Sequence, residues 1–99
     1  MENWKKVLRE VKDSLEPERE MGVIKHIYGS YGFIRVYPVN EPRMDYFFHA
    51  ADMEKGGFKM LEEGDIVSFK PSKDEKGLRA NDLNVEIENH LRKRKSEVL

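Results

Sequence analysis

Ninety-nine residues suffice for one domain and are too few for two with separate cores. Hydrophobic residues make up 38% and charged residues 37%, with a formal net charge of −1, the profile of a soluble globular domain with a heavily charged surface. The chain has no cysteine, which excludes a disulfide framework, thiol catalysis and thiolate zinc sites; the opening MENWKKVLRE is neither a secretory signal nor a membrane span, so a cytoplasmic location is expected.

Trp4, Val7, Leu8, Val11 and Leu15 recur at helical spacing, with charged residues on the other face. Asn3 can cap this helix and Pro17 stops it. A helix this short is marginal alone in water, so its apolar stripe must dock on the rest of the chain, on a second copy or on a partner. From Met21 the period changes to that of strands. Gly22 to Tyr28 is rich in branched and aromatic residues, and Gly29-Ser30 reads as a two-residue hairpin turn. Tyr31 to Tyr37 is the second strand, Pro38 to Arg43 a loop, and Met44 to His49 the third strand. Ala50 to Lys59 reads as an irregular connection. Ile66 to Lys70 is a fourth strand closed by Pro71, Ser72 to Gly77 a solvated turn, and Arg79 to Ile87 a fifth strand. Five short strands with no crossover helix between them describe a small closed or partly closed barrel. The expected organisation is a helical extension over 1–20, the barrel over 21–87, and a charged tail over 88–99 with Arg92-Lys93-Arg94-Lys95.

Strand side chains alternate between faces. Ile34 and Val36 share one side of the second strand and belong to the core. Tyr31, Phe33 and Arg35 then face outward. In the third strand Asp45, Phe47 and His49 share the outer side, opposite Tyr46 and Phe48. If these strands pair, Tyr31, Phe33, Phe47 and His49 make one outward patch. Rings at strand spacing suit successive unstacked bases, and Lys25, Arg35 and Arg43 can meet the phosphates between them. At a net charge of −1, such binding must rest on local cations and stacking, since the basic excess usual for phosphate binding is absent. The competing arrangement has the N-terminal helix lying over Phe33 and Phe47 as a second small core.

Tyr31-Gly32-Phe33-Ile34 and Tyr46-Phe47-Phe48-His49 resemble the two ribonucleoprotein motifs of the cold-shock domain family. The resemblance continues, in order, through Gly22-Val23-Ile24-Lys25, the run from Gly57 to Phe69, and Gly77 to Leu83. It implies an all-β, five-stranded antiparallel OB-fold barrel that binds single strands by stacking. By position it implies Tyr31, Phe33, Phe47 and His49 as stacking residues, Phe58 as one more, and Lys25 as a backbone contact. His26 stands where bacterial members carry a stacking Trp, and Ala50 where they carry a Phe. The short first loop and the Phe-Phe-His sequence are similar to the divergent domains of the upstream-of-N-ras type.

His49, Asp45 and Asp52 could be drawn as a metal or acid–base cluster, but no second shell is visible, and stacking or hydrogen bonding suits His49 better. No nucleophile elbow or phosphate-cradling glycine loop is present. The expectation is therefore a non-enzymatic module without metal or cofactor. It would bind single-stranded nucleic acid, with RNA expected ahead of DNA, as an RNA chaperone or regulator. The alternative is a protein-interaction or assembly module, homodimeric or partner-bound through the N-terminal helix.

Overall fold

A computed structural model of the chain describes residues 4–37, 45–53 and 57–89. Helix α1 spans Trp4–Ser14. Five strands follow: β1 (Glu20–Ile27), β2 (Tyr31–Tyr37), β3 (Asp45–His49), β4 (Ile66–Asp74) and β5 (Gly77–Ile87). Two 3-10 turns, Ala50–Asp52 and Phe58–Met60, lie between β3 and β4. The Asn3 cap, the 38–43 loop with Arg43, the start of the third strand at Met44, and the basic tail from 90 onward lie outside the described residues.

The strands close in the order β1-β2-β3-β5-β4. Four seams are antiparallel and the β3–β5 seam is parallel, with Phe47 opposite Arg79. The expected five-stranded antiparallel barrel is present, with one parallel seam. Directions cannot alternate all the way round a closed ring with an odd number of strands, so one like-directed pair is forced.

Alternation places Ile24, Ile34, Phe48, Val67, Phe69 and Ala80 inside the barrel; a register shift in β5, where Asp82 takes a φ of +53°, brings Leu83 in as well, and Leu61 from the connection closes the core. Ile34, Phe48, Val67, Phe69 and Ala80 are fully buried. Gly32 is required where β2 crosses this core. A Cβ there would strike the His26 carbonyl oxygen and stand 2.7 Å from the Phe48 ring.

The barrel also has an apolar outer patch, on which α1 sits. Met21, Val23, Ile66 and Ile87 point away from the core and pack against Leu8, Val11 and Leu15. Met21 and Ile66 are fully buried by this cover. The stripe that a second copy or a partner would have needed is thus engaged with the chain's own barrel. Arg19, just before β1, ties the junction down: Nε donates to Ser68 Oγ at 3.2 Å and Nη2 to the Asp82 carbonyl at 2.6 Å.

The fourth and fifth strands are longer than the sequence suggested. Pro71 does not stop β4, which runs on to Asp74. It lies beyond the stretch that pairs with β1, Ile66 to Phe69, so its missing N–H takes no bond from that seam. The solvated turn shrinks to Glu75-Lys76, closed by the Asp74–Gly77 pair, with Gly77 at a φ of +123° that favours glycine. The result is a hairpin projecting past the barrel beside β3.

Candidate nucleic-acid interface

The site is the outer face of β1, β2 and β3. In β1 the regular alternation breaks between Ile24, opposite Ile34, and His26, opposite Phe33. Lys25 is the extra residue of this bulge, and an extra residue turns every following side chain to the other face. Lys25 and His26 are therefore both exposed, while Ile27 turns inward against the core. Tyr28, two residues after His26, shares its outward direction and is 48% exposed.

On β2 and β3 the pairs Tyr31–His49, Phe33–Phe47 and Arg35–Asp45 stand directly opposite one another. The rings form one continuous surface. Tyr28 stacks on Tyr31, with centroids 5.1 Å apart and planes 28° apart. Tyr31 lies 5.7 Å from Phe47, and Phe33 meets Phe47 edge-on at 5.9 Å. His26 reaches the cluster through Tyr28, at 6.1 Å. Cross-strand ring pairs of this kind stabilise one another, which holds the platform in shape without a covering layer. The helix that could have buried it packs on the Met21–Ile66 patch instead.

The structure brings Lys25, His26, Tyr31, Phe33, Arg35, Phe47 and His49 onto one face. His49 is half-buried at its edge, where Nδ1 accepts the Ala51 N–H at 3.1 Å and starts the 3-10 turn. Phe58 is not brought there. It is carried on the 3-10 turn Phe58–Met60 and packs against Phe48, at 5.9 Å, and against the core cluster.

Two contributors escaped the sequence reading. Tyr28 follows the Lys25 bulge, across which alternation gives it no face, and its spacing of two from His26 reveals its side only once that bulge is known. From the sequence, Arg79 reads only as part of the fifth strand. It lies across the parallel seam from Phe47, with its guanidinium carbon 5.8 Å from the ring centroid. Between the rings and the projecting β4–β5 hairpin opens a cleft of 380 Å³ lined by Phe33, Phe47, Asp74, Lys76, Leu78 and Arg79. Its size falls in the range of small-ligand pockets, about 300–1,000 Å³.

The charges of this face are largely paired. Arg35 donates from Nε and Nη2 to the two carboxylate oxygens of Asp45, at 3.0 and 3.3 Å. The Asp45 carboxylate holds the Arg35 guanidinium above its ordinary pKa. Among the described residues, no group of three or more His, Asp or Glu is arranged to hold a metal ion, and no helix is long and apolar enough to cross a membrane.

Comparison with known proteins agrees with this geometry. The family model of the 'Cold-shock' DNA-binding domain matches residues 20–86. The chain is 36% identical over 67 residues to the major cold shock protein CspA of Pseudomonas aeruginosa, covering 68% of this chain and 94% of that one. It is 36% identical over 63 residues to cold shock protein CapA of Pseudomonas fragi, covering 64% and 97%. Over 55 residues it is 40% identical to a cold shock-like protein of Aquifex aeolicus, covering 56% and 74%. Among solved structures, a Drosophila Unr fragment, CSD456, superposes with a TM-score of 0.55 at 22% identity. That match covers 78% of this chain but only 29% of the other, and it shows a shared fold.

Proposed function

The chain belongs to the cold-shock domain family, and from that premise we propose that it binds single-stranded nucleic acid by stacking bases on the Tyr28–Tyr31–Phe33–Phe47 surface. The observation that carries the reading is that these rings are contiguous and accessible, in a protein that covers its other outer apolar patch. Monomeric proteins rarely leave such a patch open without a use for it. A nucleobase offers a flat apolar face of matching size, whatever its identity.

His26 and His49 extend the platform at opposite edges, and Lys25, exposed on the bulge, meets the phosphates. The cleft beneath the β4–β5 hairpin takes one base edge-in against Phe33 and Phe47. RNA is the expected occupant, since unpaired loops and ends are its ordinary recognition targets, whereas a DNA duplex must first be opened. Stacking without base-edge readout suits a cytoplasmic chaperone or regulator that holds many sequences unpaired. The role is binding and not catalysis.

Titration of a fluorescently tagged oligouridylate against the parent, Phe33→Ala and Phe47→Ala tests this. Each substitution should weaken binding by about 1–3 kcal/mol, and matched RNA and DNA strands report the preference. Parental affinity in both variants would refute the stacking surface.

A further inference from the structure

The ring face already carries a cation of its own, held by two acids. Arg79 lies over Phe47, and two acids fix it there. Nη2 of Arg79 donates to both carboxylate oxygens of Asp52 at 3.2 Å, while Nη1 stands 3.8 Å from Asp74 Oδ2. Asp52 cannot follow the arginine outward. Its Oδ2 also accepts the His49 N–H at 2.9 Å, closing the capping box of the turn after β3, and its side chain is only 12% exposed. The acid is thus a rigid anchor, whereas Arg79 is a long side chain, 35% exposed at the wall of the cleft.

Two competitions follow. A cation over an aromatic ring occupies the π surface that a base would take. A phosphate seeking that guanidinium gains only its advantage over the carboxylates already in place, because an arginine already neutralised by acids displaces fewer of the cations condensed on the strand. The geometry points to Asp52 as a positioning residue that latches Arg79 on Phe47, so that a single strand reaches this ring and this cation only by exchanging the Asp52–Arg79 pair. Asp52 thereby lowers affinity and flattens the salt dependence of binding. This inference rests on the stacking surface proposed above.

Asp52→Asn removes the charge and keeps an oxygen for the His49 N–H. Binding of tagged oligouridylate to the full chain is measured by anisotropy over a salt series for the parent, Asp52→Asn, Arg79→Gln and the double variant, each checked for folding by circular dichroism. Asp52→Asn should bind up to about fivefold tighter, the release expected from one partly exposed ion pair. Its log–log salt slope should steepen by roughly 0.7, the share of one additional phosphate contact on a single strand. In the Arg79→Gln background the same substitution should change affinity by no more than about twofold, since coupled residues lose their effect together.

Weaker or unchanged binding with an unchanged slope overturns the latch. Equal tightening in the Arg79→Gln background also overturns it, because Asp52 would then act by simple repulsion of phosphate. If Asp52→Asn fails to fold, Asp52→Ser, which retains a capping oxygen, takes its place in the same scheme. Phe47→Ala separates the two claims. Weakened binding there with no gain in Asp52→Asn defeats the latch alone, whereas parental binding in both Phe33→Ala and Phe47→Ala defeats the stacking surface itself.

Discussion

Among the described residues, two apolar patches on the outside of the barrel stand out, and the chain treats them differently. Met21, Val23, Ile66 and Ile87 lie under Leu8, Val11 and Leu15 of α1, and Met21 and Ile66 are removed from water entirely. Tyr28, Tyr31, Phe33 and Phe47 pack on one another, with Arg79 over Phe47, and no helix covers them among the described residues, leaving Tyr31 38% exposed. The chemistry of the two patches explains the difference. Aliphatic side chains gain little from each other in the open and need a cover. Ring pairs at strand spacing support one another through their edges and faces, and tyrosine keeps a polar tip in water. One patch therefore stabilises the fold and the other remains available.

That comparison can be broken from either side. Leu8→Ala should cost about 2–4 kcal/mol in urea unfolding, the price of a cavity beneath α1, while the affinity of the folded fraction for oligouridylate stays parental. A loss of affinity would show that the covered patch communicates with the rings. Gly32→Ala strikes between the two, where the ring face backs on the core. The added methyl meets the His26 carbonyl and the Phe48 ring, and because backbone cannot yield, a loss of about 2–3 kcal/mol is expected. Phe33→Ala and Phe47→Ala invert the Leu8 pattern, with a greater loss in binding than in urea stability. The smallest effect belongs to Lys12→Ala. Its ion pair with Glu20, at 3.5 Å, joins α1 to β1 through side chains 35% and 40% exposed, so thermal unfolding should register no more than about 0.5 kcal/mol.

Most of this arrangement was legible from residue order. Ile34 and Val36 against Tyr31, Phe33 and Arg35, and Phe48 against Phe47 and His49, follow from a period of two in strands whose register a buried face fixes. The residues that escaped did so for definable reasons. Tyr28 follows a bulge at Lys25, and alternation alone cannot carry a face assignment across an extra residue. Arg79 joins the site through the parallel seam, a long-range pairing with no local signal. The hairpin wall was hidden by Pro71, which reads as a strand stop unless one knows that the strand has already left its β1 neighbour. Phe58 pointed the other way because its direction depends on how a connection folds, and no periodicity governs a 3-10 turn. Family resemblance located the ring motifs, but the charge pairing of Arg35 with Asp45 and of Arg79 with Asp52 required coordinates.

The most direct test follows backbone and ring resonances of the uniformly labelled protein during titration with a short oligouridylate. Saturable shifts should concentrate on Lys25 to Phe33 and on Phe47 to His49, with the ring signals of Tyr28, Tyr31, Phe33 and Phe47 moving most and Leu8, Val11 and Leu15 staying still. Shifts centred on α1, or a ring face that stays silent while the strand binds, would contradict the account.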